Sequence, residues 1–361
     1  MSDFSKMREQ MNTGAGFIAA LDQSGGSTPK ALSLYGVEPS DYNGDEEMFA
    51  AMHAMRTRII LADAFTSDKV IGAILFERTM NDTINGTPVA DLLWNKRGVV
   101  PFLKIDKGLE EQGDGVQMLK PMPGLEKLLA EAKAKGIFGT KERSVIHEAN
   151  AAGIAANVAQ QFDVARTVVA AGLVPILEPE VNIHSETKAE AEEILAAEIS
   201  KPLDTLDDGV DVMLKLTLPT KAGLYDEIAA HPRVLRVVAL SGGYSTDEAS
   251  ALLAENHSMI ASFSRALTEG LNVKMTGAEF ESALGGNIGK GSPGRPVDIA
   301  RVCAAGPEMR GEGRAIGRGI EAPTGLDHDL DRQKQALAIL GERPVLSRPM
   351  GIVAGPARIV P

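Results

Sequence analysis

Cysteine is almost missing from this chain. Its 361 residues contain one, Cys303, which excludes an internal disulfide and with it a disulfide-stapled scaffold. Long apolar runs are missing too: none approaches the roughly 18 residues that a membrane-crossing helix needs. The opening MSDFSKMREQ lacks the apolar centre of a secretory signal, so a cytoplasmic location is expected. Positive charge is in short supply, with 37 Lys and Arg against 49 Asp and Glu and a net charge of -12. That balance speaks against sequence-independent binding to nucleic acid or to an anionic membrane surface, and neither is expected as a partner. A small anionic ligand stays possible, because it feels only the local arrangement of charge. The six histidines (His53, His147, His184, His231, His257 and His328) are scattered without ligand spacing, and CxxC and HExxH do not occur. No metal is therefore expected, with only a carboxylate-built magnesium site left open. A dinucleotide fingerprint after a strand is also missing, since GRAIGRG in the C-terminal part has no strand before it.

What is present, 24% charged and 44% hydrophobic residues, is the composition of an ordinary globular protein. From residue 16 to about 285, short apolar runs alternate with stretches of helical period, the rhythm of repeated βα units. Eight strands can be read: GFIAALD (16–22), VIGAILFE (70–77), VVPFLKI (99–105), GIFGTKER (136–143), VPILEPE (174–180), VMLKLTL (212–218), RVVALSGG (236–243) and MIASFSRA (259–266), the fourth being the weakest. Amphipathic helices are read over 124–136, 157–172, 186–199 and 246–256. Near-continuous apolar strands imply burial on both faces, and eight of them under crossover helices close most simply into a (β/α)8 TIM barrel. A doubly wound open sheet is the competing architecture.

The last 75 residues hold 12 of the 37 glycines and 8 of the 19 prolines, no Phe, Tyr or Trp, and a net charge of +3. With so few large apolar side chains they cannot offset the entropy of ordering. The sequence thus predicts a barrel domain over 1–286 and a Gly/Pro/Arg-rich extension over 287–361, largely disordered, with one helix over 330–340.

Nearly every predicted strand ends in polar or charged groups, and in a closed barrel all these ends share one face. The first ends in Asp22; the third offers Lys104 and Asp106, the fourth Lys141 and Arg143, the fifth Glu178 and Glu180. Members of each pair are two residues apart and so lie on one side of their strand. Any one pair could be a rim ion pair; the whole set points to a site. Lys215 is flanked by Met213, Leu214, Leu216 and Leu218. Burial penalises its charged form, which leaves neutral amine able to attack a carbonyl and form an imine. The plain alternative is a barrel-filling lysine paired with Glu178 or Glu180. Imine chemistry needs acid/base help, and repulsion between Glu178 and Glu180 would keep one protonated. Two loops suit phosphate. Ser241-Gly242-Gly243 precedes a helix near Thr246, with Arg265 nearby, and Asp22-Gln23-Ser24-Gly25-Gly26-Ser27 follows the first strand. Two such loops suggest a substrate with two phosphates, although each could be a tight turn.

Through GFIAALDQSGGSTPKAL, MRTRII, GAILFERTM, GVVPFLKIDKG, IFGTK, GLVPILEPEVNI, VMLKLTLPT, LSGGYS and ASFSRAL, residues 13–285 resemble class I fructose-1,6-bisphosphate aldolase, in its short bacterial branch. The resemblance implies a (β/α)8 barrel and reversible cleavage of a sugar bisphosphate in glycolysis and gluconeogenesis, with no cofactor beyond the covalent imine. Residue by residue, it implies Lys215 as the imine-forming lysine, Glu178 as general acid/base and Glu180 as its tuning neighbour. Asp22 would assist deprotonation of the C4 hydroxyl, with Lys141 orienting it. Lys104, Arg143, Ser24 and Ser27 match the C6-phosphate end, and Ser241, Gly242 and Arg265 the C1-phosphate site. Relatives are commonly oligomeric, so a homo-oligomer is expected. Two departures accompany the resemblance. The chain ends in Ile359-Val360-Pro361, where animal members end in a functional tyrosine, and its tail begins near where short bacterial members stop, as a fused or frame-shifted terminus would. The competing functions are another imine-forming sugar-phosphate aldolase or a transaldolase, a non-catalytic sugar-phosphate-binding barrel, and an interaction protein acting through its basic tail.

Overall fold

A computed structural model of the chain describes residues 2–263 and 267–289. The predicted extension 290–361 lies outside the described residues, as do Ser264, Arg265 and Ala266. Eight strands of a nine-stranded sheet form the barrel: β1 (Phe17–Leu21), β2 (Val70–Leu75), β3 (Val100–Lys104), β4 (Gly139–Ile146), β5 (Val174–Val181), β6 (Val212–Thr217), β7 (Val234–Leu240) and β8 (Met259–Ala261), the short Val116–Gln117 strand adding antiparallel to the end of β4. Each of the eight pairs in parallel with its neighbours in chain order. Contact between β8 and β1 brings the ring almost to closure. A doubly wound sheet would reverse its strand order at a switch point, and this order never reverses.

All eight predicted strands are present. The fourth is shifted, running from Gly139 to Ile146 where the sequence pattern suggested 136–143, and the eighth is strand only over Met259–Ala261 of the suggested 259–266, of which 264–266 lie outside the described residues. The interior of β4, Lys141-Glu142-Arg143-Ser144, has no apolar alternation, because both of its faces meet polar groups. Ser144 Oγ donates to Asn157 Oδ1 at 2.8 Å and accepts from Gln161 Nε2 at 2.8 Å, both on the covering helix. That helix, Ala151–Ala170, starts six residues before its predicted start, where Asn150 Oδ1 accepts from the Gly153 amide at 3.0 Å and caps it. The last described helix spans Gly277–Gly289 and so runs across residue 286, the expected end of the barrel domain.

The N-terminal helix, α1 (Asp3–Thr13), lies across the strand starts. Met7 and Met11 are buried there, and Gln10 Nε2 donates to the carbonyls of Ile71 (2.8 Å) and Gly98 (2.6 Å). Arg236 at the start of β7 donates to the Met11 carbonyl at 2.8 Å and the Gly14 carbonyl at 3.3 Å. This plug closes one mouth of the barrel and leaves the strand ends at the other for chemistry. No helix among the described residues is long and apolar enough to cross a membrane.

Candidate active site

Strand alternation sends Lys141 and Arg143 to one face of β4 and Glu142 and Ser144 to the other. Register then assembles the centre. Lys141 pairs with Lys104 of β3, and Arg143 with Glu178 of β5. Ile176 pairs with Met213, so Glu178 and Lys215, each two residues further along, come side by side. Lys215 Nζ lies 3.0 Å from Glu178 Oε1. Lys141 Nζ bridges the other side, 2.9 Å from Glu178 Oε2 and 2.7 Å from Asp22 Oδ2. Lys215 is 5% exposed, Lys141 3% and Glu178 3%, so the cluster sits in the barrel with its charges mutually compensated.

Burial alone would push the Glu178 carboxyl up, but Lys141 and Lys215 outweigh it and hold the group below the ordinary carboxylate range. Asp22 follows the same logic: burial raises it, and Lys141, Lys215 and Lys104 bring it well below that range. Lys141 is penalised by burial yet raised overall by Asp22 and Glu178. Repulsion within the Glu178/Glu180 pair was expected to keep one protonated. The arrangement is different, because the two carboxylates are claimed by different cations: Glu178 by the two lysines, and Glu180 by Arg143, whose Nη1 donates to Glu180 Oε2 at 2.8 Å.

A second chain of charges runs beside the first. Lys104 Nζ donates to Asp106 Oδ1, and Asp106 Oδ2 accepts from the Arg143 amide at 3.3 Å. The predicted phosphate residues Lys104 and Arg143 are thus at the site, each holding a carboxylate. Ser24 and Ser27 form a turn. Ser27 Oγ accepts from the Ser24 amide at 3.0 Å and donates to the Ser24 carbonyl at 2.8 Å, opening helix α2 (Ser27–Leu34). Ser241, Gly242 and Gly243 follow β7. Gly242 has a φ of +58°, and a Cβ there would meet Ile183 Cγ2 at 2.8 Å, so the turn needs glycine. The next helix begins at Thr246, where the sequence pattern starts it; Ser245 caps Thr246–Ala254 and forms a capping box with Glu248. Arg265, the predicted partner of this loop, lies outside the described residues.

Four buried charged residues escaped the sequence reading: Lys188 and Glu192, which pair with each other, and Glu142 and Arg56. Glu142, 0% exposed, faces away from Lys141; burial, with Asp106 adding, pushes its carboxyl well above the ordinary range. Its position between Lys141 and Arg143 in a strand of period two was the available signal. Arg56, within MRTRII, is buried at 2% exposure and reaches the Asp22–Ser27 loop. Among the described residues no group of three or more His, Cys, Asp or Glu is placed to hold a metal ion.

A parallel barrel with lysines and carboxylates gathered at its strand ends is the general plan of a barrel enzyme. Comparison with known proteins gives the particular kind. The family model for fructose-bisphosphate aldolase class-I matches residues 4–218. A fructose-bisphosphate aldolase class 1 from Synechocystis sp. is 56% identical over 282 residues, covering 78% of this chain and 94% of the relative. One from Porphyromonas gingivalis is 56% identical over 280 residues, covering 78% and 95%. The solved fructose-bisphosphate aldolase of Plasmodium falciparum, 21% identical, superposes with a TM-score of 0.64 over 84% of this chain and 94% of that one, a likeness of fold. The chain belongs to the class I fructose-bisphosphate aldolase family. Members of this class are lyases that form a Schiff base between a lysine and the substrate and need no metal cofactor.

Proposed function

We propose that this chain cleaves fructose 1,6-bisphosphate reversibly to dihydroxyacetone phosphate and glyceraldehyde 3-phosphate, with Lys215 as the imine-forming nucleophile. The observation that carries this reading is the contact of a buried lysine with a carboxylate that a second lysine ties to Asp22. A nucleophile needs its proton taken, and Glu178 Oε1 stands 3.0 Å from Lys215 Nζ to take it. The neutral amine attacks the C2 carbonyl. Glu178, now carrying the proton, returns it to the carbinolamine hydroxyl, which leaves as water and gives the protonated imine. Asp22, held ionised beside Lys141, accepts the C4 hydroxyl proton. The C4 oxygen then forms the aldehyde, the C3–C4 bond breaks, and its electron pair flows into the imine to give an enamine. Glyceraldehyde 3-phosphate departs. Protonation of the enamine at C3 and hydrolysis of the imine release dihydroxyacetone phosphate and restore Lys215.

Glu180, tied to Arg143, sets the potential along this strand edge and so tunes the proton steps at Glu178. Ser24, Ser27, Lys104 and Arg143 take the 6-phosphate, and Ser241, Gly242 and Arg265 the 1-phosphate, where a left-handed glycine turn presents amide hydrogens to an anion. We also infer a cytoplasmic homo-oligomer with sugar bisphosphate as its partner and neither nucleic acid nor membrane; light scattering tests the assembly. The mechanism is tested by incubating the protein with fructose 1,6-bisphosphate in EDTA, reducing with borohydride and mapping the adduct by mass spectrometry. A triose phosphate adduct on Lys215 is expected; folded protein with no adduct there would refute the reading.

A further inference from the structure

Of the buried cations that the mechanism leaves unused, Lys188 is paired with Glu192, whereas Arg56 has no carboxylate hydrogen-bonded to it among the described residues. Arg56, on α3 (Gly44–Leu61), spans the loop after β1 and the short helix Glu77–Asn81 after β2: Nη1 donates to Thr79 Oγ1 at 2.7 Å, and Nη2 to the Gln23 carbonyl at 2.6 Å. Gln23 Oε1 lies 3.4 Å from Nη2. All these partners are neutral, and Nε has no hydrogen-bond partner among the described residues. Burial pulls the guanidinium down to about 10, with Asp22 acting the other way, so it remains a cation near pH 7. A buried cation with neutral partners and a spare N–H costs stability that an apolar side chain of similar volume would not. Such local cost is found where function is served.

Gln23 shows what is gained. In a trans peptide the carbonyl and the following N–H point in opposite directions. With the Gln23 carbonyl drawn towards Arg56, the Ser24 N–H is turned the other way, where it meets Ser27 Oγ at 3.0 Å. The same arginine reaches Thr79 in the segment after β2, so the turn behind Asp22 is braced against a neighbouring strand end.

We infer that Arg56 is a positioning residue for the far phosphate of the substrate: it locks the Asp22–Ser27 turn in the orientation that receives the 6-phosphate. This rests on the proposed function, in which that turn binds the phosphate remote from the imine. Dihydroxyacetone phosphate lacks that phosphate, so loss of Arg56 should weaken the bisphosphate and spare the triose.

The test compares the unaltered chain with Arg56→Gln and with Thr79→Val, a milder change that removes one anchor of the guanidinium. Steady-state kinetics, borohydride trapping of dihydroxyacetone phosphate on Lys215, and hydrogen exchange over residues 22–28 are read for each. In Arg56→Gln the KM for fructose 1,6-bisphosphate rises about tenfold, and in Thr79→Val about threefold, with kcat nearly unchanged. Trapping of the triose stays at the unaltered level. Exchange speeds up over 22–28 and not over Val212–Thr217. Unchanged KM and exchange in either folded variant overturns the inference, and so does a parallel loss of bisphosphate cleavage and triose trapping, which would mark a merely structural residue. If Arg56→Gln does not fold, Thr79→Val decides. An unaltered chain that traps no triose overturns the imine reading and the substrate role assigned to Arg56, while the exchange data still judge its hold on the turn.

Discussion

At the mouth where the strands begin, the hydrogen bonds end on neutral carbonyls or in a two-pronged Arg8–Asp211 pair, and methionine side chains fill the space beneath. At the mouth where the strands end, two carboxylates and two ammonium groups form a buried chain with N–O contacts of 2.7 to 3.0 Å. One barrel thus carries two kinds of contact. The plugged end converts apolar burial into stability, roughly 1.5–3 kcal/mol for each large side chain. The open end has given up that gain for charges whose partners can be exchanged for substrate. A substitution at the first should cost folding and spare chemistry; at the second, the reverse.

The sharpest break comes from Lys215→Met. Cleavage should fall by about 10^4-fold or more with the circular dichroism spectrum unchanged; retained turnover would move the nucleophile elsewhere. Glu178→Gln keeps the shape but cannot take the amine proton, so kcat should drop by about 10^2- to 10^3-fold, with adduct formation slowed alike in single-turnover trapping. At the plugged end, Met11→Ala opens a cavity at a fully buried site and should lower unfolding stability in urea by about 2–5 kcal/mol, leaving kcat of the folded protein intact. Gly242→Ala lies between the extremes. Its left-handed φ and the 2.8 Å approach to Ile183 should cost about 1–2 kcal/mol and raise the bisphosphate KM, which denaturation and kinetics on one sample can separate.

The smallest effect is on pH dependence. Asp22 and Glu178 titrate lower in the folded protein than their ordinary values of 3.8 and 4.5. Their contribution is therefore complete above those values and is lost as pH falls through the depressed ones. Lys141, raised above 10.5, contributes fully below that value and loses the contribution only as pH rises through the folded one. Stability should be flat in these groups near neutrality and fall below about pH 4. Asp22→Asn should flatten that acid limb, whereas Met11→Ala should shift the whole curve without changing its slope; an unaltered limb in Asp22→Asn would mean that the Asp22–Lys141 contact is absent in solution.

Much of the site could be read from local pattern. The lone lysine in MLKLTL, the Glu-Pro-Glu strand end and the Asp before a Ser/Gly loop each stand out because a polar residue interrupts an apolar strand. The structure brings Asp22, Lys141, Glu178 and Lys215 into direct contact, and Lys104, Arg143 and Glu180 beside them. The partner of each was hidden. Glu178 and Glu180 look equivalent in sequence, yet one meets lysines from β4 and β6 and the other an arginine from β4 alone. That Ser27, read as a phosphate ligand, also closes its own turn on Ser24 was hidden as well. Arg56 sits in a helix of ordinary polarity, and only the packing of that helix against the Gln23 loop and the short helix that carries Thr79 buries its guanidinium.

By itself, then, the sequence determined the eight strands, their alternation with helices and the residue types at their ends, because strand period and apolar runs are properties of neighbours along the chain. Only the tertiary structure decided which mouth α1 closes, which cation each carboxylate keeps and which charges are buried. Those depend on register and near-closure, which bring residues more than a hundred positions apart to within 3 Å, as with Asp22 and Lys141 at 2.7 Å.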